Sequence, residues 1–366
     1  MKALLVAGAR PNFMKIAPVY RAALVYDNLE CLIVHTGQHY DYAMSQAFFD
    51  DLEIPKPDYF LEAGSGSHAE QTAKVMVAFE KVCVAEKPDL VIVVGDVNST
   101  LACSIVAKKL LIKVAHIEAG LRSFDLTMPE EINRMVTDAI SDYFFVTESS
   151  GLENLLREGK SESAVFMVGH VMIDNLLHQV EKLKECDVSE FGVDKLKREY
   201  PSYFFMTMHR PANVDDPEIL QGIVDCLNEI AEVHPIFFPV HPRTAKMLKQ
   251  FKIKLSGKIH CLGPLGFRES LYLWQDAVAV LTDSGGLQEE TTALGVPCLT
   301  LRENTERPIT IELGTNILAG NQPEGIMKAY AELSESFVEG AVDRRECQVP
   351  KWDGKAAERI WQILLA

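Results

Sequence analysis

Apolar and polar positions alternate along this chain in two registers. Short runs of continuous apolar character fall at 3–7, 31–34, 90–94, 114–117 and 143–146. Between them lie stretches with helical spacing, such as 68–86 and 100–110. Strands that are apolar on both faces and separated by helices belong to a parallel sheet covered on both sides. Around 187–200 the chain turns charged and strand character disappears. The alternation then resumes, with strand-like runs at 203–208, 236–240, 258–261, 278–282, 298–301 and 316–318. The pattern predicts an α/β protein with two doubly wound domains joined within 170–198. The boundaries drawn from it are 1–175 and 176–352, with a last helix, 353–366, packing back on the first domain.

The two halves repeat one detail. The first strand of one ends in Gly8-Ala9-Arg10-Pro11-Asn12, and that of the other in Met208-His209-Arg210-Pro211-Ala212-Asn213. Open α/β sheets bind their ligands outside the carboxyl ends of strands. Polar residues cluster at other strand ends as well: Gly95-Asp96, His116 with Glu118, and Pro129-Glu130-Glu131 at a helix start. Acids gathered at several strand ends of one sheet suit proton transfer in a shared pocket. Taken singly, each could be a helix cap or a surface ion partner, and acids in a helix's first turn favour the dipole anyway.

The most informative stretch is Thr282-Asp283-Ser284-Gly285-Gly286-Leu287-Gln288-Glu289-Glu290. An apolar strand stops, a glycine turn follows, and a helix begins. Small residues there let backbone N–H groups approach an anion that the helix dipole also favours. Glu289 and Glu290 follow one turn later, placed to accept the hydroxyls of a ribose. A nucleotide fits this element better than free phosphate. Arg10, Lys15 and Arg307 are cations within reach of a diphosphate.

Composition narrows the partners. The formal net charge of −16 argues against nucleic acid and anionic membrane. Eight cysteines are scattered without a Cys-x-x-Cys pair, as expected of reduced thiols in the cytoplasm. No apolar run approaches the ~20 residues of a membrane span, and the amino terminus enters a strand directly, unlike a signal peptide. His35 and His39 stand four apart without a third ligand at familiar spacing, so no metal is expected. No Gly-x-Gly-x-x-Gly follows a leading strand, so no nicotinamide cofactor is expected.

Together these residues resemble a known family. Gly8-Ala-Arg-Pro, His35-Thr-Gly-Gln-His, Gly95-Asp96, His116-Ile-Glu-Ala-Gly-Leu-Arg122, Pro129-Glu-Glu-Ile-Asn-Arg134, His209-Arg210, the 282–290 element and Thr305-Glu-Arg-Pro308 occur in the order found in the non-hydrolysing UDP-N-acetylglucosamine 2-epimerases. The resemblance spans residue 1 to about 320. It implies the GT-B architecture, two Rossmann-like domains with the active site in the inter-domain cleft. It also implies reversible inversion at C2 of a UDP-N-acetylhexosamine, by elimination and re-addition of UDP through a 2-acetamidoglucal, without a cofactor. Asp96, Glu118 and Glu130 match the family's essential acids and His209 its essential histidine. Arg10, Lys15, Ser284, Gly285, Gly286, Glu290 and Arg307 match its nucleotide-binding positions, and Arg210 is expected to face the diphosphate beside His209. A cytoplasmic homodimer serving cell-surface polysaccharide synthesis is the accompanying expectation.

Two departures qualify the resemblance. Gln38-His39-Tyr40-Asp41 replaces the Gln-His-Arg pattern that helps many bacterial members bind an activating second substrate, and residues 62–80 contain no arginine. Strong substrate activation is therefore not expected. The 35–41 segment and Ser123-Phe124-Asp125 are also similar to relatives acting on UDP-2,3-diacetamido-glucuronic acid. Other classes remain open: a GT-B glycosyltransferase, a hydrolysing epimerase, and a nucleotide-sugar-binding protein without catalysis.

Overall fold

The computed structural model describes residues 1–37, 46–335, 337–338, 341–342, 344 and 346–366. Thirteen strands form two parallel sheets. The first holds β1 (Lys2–Ala7), β2 (Glu30–His35), β3 (Tyr59–Phe60), β4 (Leu90–Val94), β5 (Lys113–Ile117), β6 (Tyr143–Val146) and β7 (Val165–Met167), in the spatial order β3-β2-β1-β4-β5-β6-β7. The second holds β8 (Phe204–Thr207), β9 (Ile236–Pro239), β10 (Ile259–Leu262), β11 (Ala279–Thr282), β12 (Cys298–Thr300) and β13 (Asn316–Leu318), in the order β10-β9-β8-β11-β12-β13. The strand order reverses between β1 and β4 in one sheet and between β8 and β11 in the other. At such a switch point adjacent connections leave in opposite directions and open a crevice outside the strand ends. Arg10 and Asp96 follow β1 and β4. His209 and Ser284 follow β8 and β11.

The central strands owe their position to composition. β4 reads Leu-Val-Ile-Val-Val and is buried throughout, which only a sheet covered on both faces can accommodate. Its alternate side chains feed two cores: Leu90, Ile92 and Val94 pack with Phe13, Ile16 and Ala17, and Val91 and Val93 pack with Val75, Phe79 and Cys103. In the second sheet Phe204, Met206, Phe238 and Leu281 meet Ile223, Leu227 and Ile230 of the helix Pro217–Ala231.

The chain divides into two compact units, Met1–Leu176 with Pro350–Ala366, and Leu177–Val349. The closing helix Ala356–Leu365 lies on the helix Arg10–Ala23 of the first unit. There Trp361 is fully buried and its indole N–H donates to the Val19 carbonyl at 2.7 Å. Truncating a tryptophan so buried costs about 3–5 kcal/mol, so this helix is part of the first domain's core.

The apolar runs mark the strands to within about two residues. β3 and β7 have no counterpart among them. They are short edge strands of two and three residues, with Phe60 exposed on one and only Val165 buried on the other, so no continuous apolar run marks them. None of the cysteines is in a disulfide. Among the described residues no helix is long and apolar enough to cross a membrane, and no group of three or more His, Cys, Asp or Glu side chains is placed to hold a metal ion. His39, Tyr40 and Asp41 lie outside the described residues.

Candidate active site

In the first domain the motif after β1 begins a helix. Arg10 and Pro11 occupy its first turn, where a missing proline N–H costs nothing. Asn12 fastens that turn: its side-chain oxygen accepts from the Ala9 N–H at 2.9 Å, and its amide donates to the Val94 carbonyl at 3.4 Å. Arg10 is exposed, its guanidinium 5.0 Å above the Phe48 ring. Lys15, one turn on, reaches Glu118, with Nζ and Oε2 2.5 Å apart.

Glu118 leaves the end of β5 with φ +67°, a left-handed conformation that glutamate seldom takes. Such backbone strain costs on the order of 1–3 kcal/mol and gathers at functional sites. It turns the side chain toward Lys15 while the residue stays only 5% exposed. Gly95, at φ +68°, makes the matching turn after β4 and lies against the pair. A Cβ there would stand 3.5 Å from both Glu118 Oε2 and Lys15 Nζ.

Asp96 follows and is held from the helix Pro129–Ile140. Arg134 meets its carboxylate at 2.5 Å, and the Asn133 amide donates to its backbone carbonyl at 2.8 Å. That helix also carries Glu130 in its first turn, half-exposed. Its neighbour Glu131 is buried and accepts the Ser123 and Phe124 N–H groups at 3.0 Å each, and it also pairs with Arg134. Of the two adjacent acids, Glu131 holds the 123–124 loop and Glu130 remains accessible for chemistry.

His116 departs from its expected place. It is fully buried rather than at the strand mouth. Nδ1 lies 2.7 Å from Asp138 Oδ1 and Nε2 lies 2.9 Å from the Gly95 carbonyl. Both partners only accept, so the ring must donate from both nitrogens, which makes it an imidazolium. Burial pushes its pKa down, but Asp138, the Gly95 carbonyl and Glu118 outweigh that and leave it raised. Arg122 adds a second cation to Asp138 at 2.7 Å. The side chain clips the turn at Gly95 to β5 and is structural support for Glu118. Asp138 is not singled out by the sequence, and Arg134 enters only as the end of the 129–134 motif, because His116 and Asp96, which they meet, lie far away in the chain.

In the second domain the glycine element is the start of a helix, not a separate turn. Ser284 is the N-cap residue, and Gly285 and Gly286 are the first residues of Gly285–Ala293. Beyond the chain neighbours and the helix's own backbone, no described atom lies within 4 Å of where a Cβ would stand on either glycine, so the first turn is open on that side. A pocket of about 430 Å³ opens there, with His209, His241, Phe267, Ser284, Gly286 and Glu290 in its wall.

The two glutamates of the element separate. Glu289 is buried and its Oε1 pairs with Arg307 Nε at 2.5 Å. Glu290 faces the pocket. Its carboxyl pKa is pushed up to about 8, first by burial and then by the Glu289 charge. His209 and Arg210 leave β8 beside this element. Both backbone N–H groups are held by the Asp283 carboxylate at 2.9 and 2.7 Å, and Arg210 Nε donates to the Asp283 carbonyl at 3.1 Å. The sequence gives Asp283 no role of its own within the 282–290 element. A lone acid between an apolar strand and Ser-Gly-Gly is the one trace of it in the sequence.

Comparison with known proteins bears on this arrangement. A family model described as UDP-N-acetylglucosamine 2-epimerase matches residues 23–365. The chain belongs to this family. It is 44% identical over 370 residues to the UDP-N-acetylglucosamine 2-epimerase of Methanocaldococcus jannaschii, covering 100% of this chain and 99% of the relative. A crystal structure of the epimerase from that organism, in complex with UDP-GlcNAc and UDP, superposes with a TM-score of 0.83 at 43% identity, covering 100% and 99% of the two chains. The chain is also 41% identical over 332 residues to the UDP-2,3-diacetamido-2,3-dideoxy-D-glucuronate 2-epimerase of Pseudomonas aeruginosa, covering 90% and 91%. A lipopolysaccharide outer core galactosyltransferase with 14% identity shares the fold alone, at a TM-score of 0.56 over 100% of this chain and 99% of its own. The two sheets and these neighbours establish a two-domain, Rossmann-like GT-B fold.

Proposed function

We propose that this epimerase interconverts UDP-N-acetylglucosamine and UDP-N-acetylmannosamine. The supporting observation is one pocket wall that joins a glycine-started helix, a carboxyl group and His209, in a chain aligned end to end with epimerases. The second domain takes the nucleotide. The Gly285 and Gly286 N–H groups and the Ser284 hydroxyl donate to phosphate oxygens, favoured by the helix dipole, while the Ser284 N–H is held by Thr282 Oγ1 at 3.0 Å. Glu290 accepts the ribose hydroxyls. Arg210, Arg10, Lys15 and Arg307 supply positive charge to the diphosphate.

The C2 proton has no adjacent carbonyl to acidify it, so its direct removal is unfavourable. Elimination avoids this. A base takes the C2 proton, the electron pair forms the C1–C2 double bond, and the C1–O bond breaks with its pair leaving on UDP. The products are 2-acetamidoglucal and UDP. In the reverse step a proton arrives at C2 on the other face and a UDP oxygen bonds to C1. Asp96, Glu118 and Glu130 are the acid–base groups, and His209 stabilises the departing diphosphate. Incubation with UDP-N-acetylglucosamine, with no acceptor sugar and no nicotinamide, is expected to yield UDP-N-acetylmannosamine. Release of free N-acetylmannosamine would indicate a hydrolysing enzyme, and no reaction without an acceptor would indicate a transferase.

One observation favours a second substrate. The relative acting on UDP-2,3-diacetamido-2,3-dideoxy-D-glucuronate is nearly as similar as the archaeal epimerase. The Ser123-Phe124-Asp125 loop projects Phe124, at φ +57°, into solvent and is pinned by Glu131. Turnover of that sugar in preference to UDP-N-acetylglucosamine would reassign the substrate and keep the reaction.

A further inference from the structure

The Asp283 side chain is 0% exposed at the end of β11. Burying an ionised carboxylate costs several kcal/mol unless neighbours donate to it or carry opposite charge. One oxygen is well supplied: Oδ2 accepts from the N–H of His209, the N–H of Arg210 and, at 3.3 Å, the amide of Asn213. The other oxygen has a single facing group among the described residues. Oδ1 lies 3.0 Å from Nδ1 of His209, off the ideal hydrogen-bond line, since no bond of good geometry forms there. Burial raises the Asp283 pKa, but the His209 side chain and the two backbone N–H groups outweigh it and hold the acid below the usual carboxylate range.

An ionised carboxylate has only lone pairs to offer. Two lone pairs 3.0 Å apart repel, so the charge favours a hydrogen on the ring nitrogen facing it. We infer that Asp283 is a positioning residue that holds His209 with its proton on Nδ1, so that Nε2 is the atom presented to the pocket. This rests on the role proposed above for His209. In the neutral ring Nε2 then has a free lone pair. Once it takes a proton, the imidazolium lies against the buried Asp283 charge and can return that proton as a donor to a departing oxygen. Other charged or titratable groups near the ring are Arg210, adjacent in the chain, His241, whose ring centre is 5.6 Å away, and Glu290 in the same pocket wall. The same carboxylate therefore fixes the backbone of the 209–210 turn through one oxygen and the tautomer of its histidine through the other.

Asp283→Asn separates the two effects. The amide oxygen can still accept the 209 and 210 N–H groups, while the amide nitrogen turns a donor toward Nδ1 and favours the tautomer with hydrogen on Nε2. Nitrogen-15 spectra of the histidine rings, with His209 assigned by its loss in His209→Gln, read the tautomer directly. The wild-type protein is expected to show protonated Nδ1 and unprotonated Nε2, and Asp283→Asn the reverse. Its kcat is expected to fall on the order of 10²-fold or more, with UDP affinity changed less than about twofold because the phosphate-binding turn is retained. A wild-type His209 already carrying hydrogen on Nε2 overturns the inference without any variant, and so does an unchanged tautomer in Asp283→Asn. A reversed tautomer with unchanged kcat removes His209 from the reaction, and its positioning with it.

Discussion

Lys15 Nζ lies 2.5 Å from Oε2 of Glu118, joining the helix after β1 to the end of β5 across the strand-order reversal of the first sheet. A partly buried cation against a nearly buried carboxylate keeps that carboxylate fixed at the strand mouth beside Asp96. The pair places a carboxylate where the switch point of the sheet opens.

Amide substitutions of the three acids test that placement. Asp96→Asn, Glu118→Gln and Glu130→Gln are each expected to lower kcat by ~10²-fold or more, with UDP binding largely kept, because an amide can neither take nor give the proton. Steady-state kinetics with calorimetry of UDP binding reads both. Near wild-type turnover in all three variants would move the acid–base chemistry elsewhere.

The buried His116–Asp138 pair predicts a pH window for stability. His116 has a raised pKa, so its contribution is complete below the ordinary value of 6.5 and is lost as pH rises through its folded value. Asp138 is held low, with burial opposing and His116 and Arg122 prevailing. Its contribution is present above the ordinary 3.8 and is lost as pH falls through the folded value. Asp138→Asn takes the counter-charge from the buried His116 ring, while Arg122 keeps Glu158, and is expected to cost about 3–5 kcal/mol. Urea unfolding between pH 4 and pH 9 checks this. A variant as stable as the parent at neutral pH would show that the pair contributes nothing.

Glu290 sets stability against binding. Its folded pKa of about 8 stands above the ordinary 4.5, so the stability linked to it is complete below pH 4.5 and is lost as pH rises through 8. Glu290→Gln is therefore expected to raise Tm above pH 8 while weakening UDP, which loses a charge-assisted acceptor for its ribose. The parent's UDP affinity is expected to rise between pH 7 and pH 9, and that rise is expected to vanish in the variant. Equal Tm and equal affinity across this range would place the ribose elsewhere.

Gly285→Val tests the phosphate turn. A Cβ on Gly285 would meet no described atom beyond its chain neighbours and its own helix backbone, so valine is expected to fold without a clash yet obstruct an anion approaching the N–H groups. UDP affinity should fall at least ~10-fold, about 1.4 kcal/mol, with Tm little changed. Undiminished affinity would detach the phosphate from this helix.

The sheet strands, the Arg-Pro strand exits and the glycine-led helix are legible in the sequence because each is local: an apolar run, a proline at a helix start, a strand followed by small residues. What is not legible arises from pairings distant in the chain. Nothing local to Asp138 announces His116, 22 residues away, and nothing local to Asp283 announces its hold on His209, 74 residues away. The same holds for Glu289 and Glu290, equivalent in the sequence until the fold gives one to Arg307 and the other to the pocket.

The central claim is that C2 inverts by elimination and re-addition of UDP. UDP-N-acetylglucosamine carrying oxygen-18 in the bridge between C1 and the β-phosphorus, incubated with the protein in D₂O, tests it most directly. The account predicts deuterium at C2 in both epimers, together with scrambling of the label from the bridge into the non-bridging β-phosphate positions, because the C1–O bond breaks and re-forms. Epimerisation with the label retained in the bridge would contradict it, since C2 would then have inverted without departure of UDP.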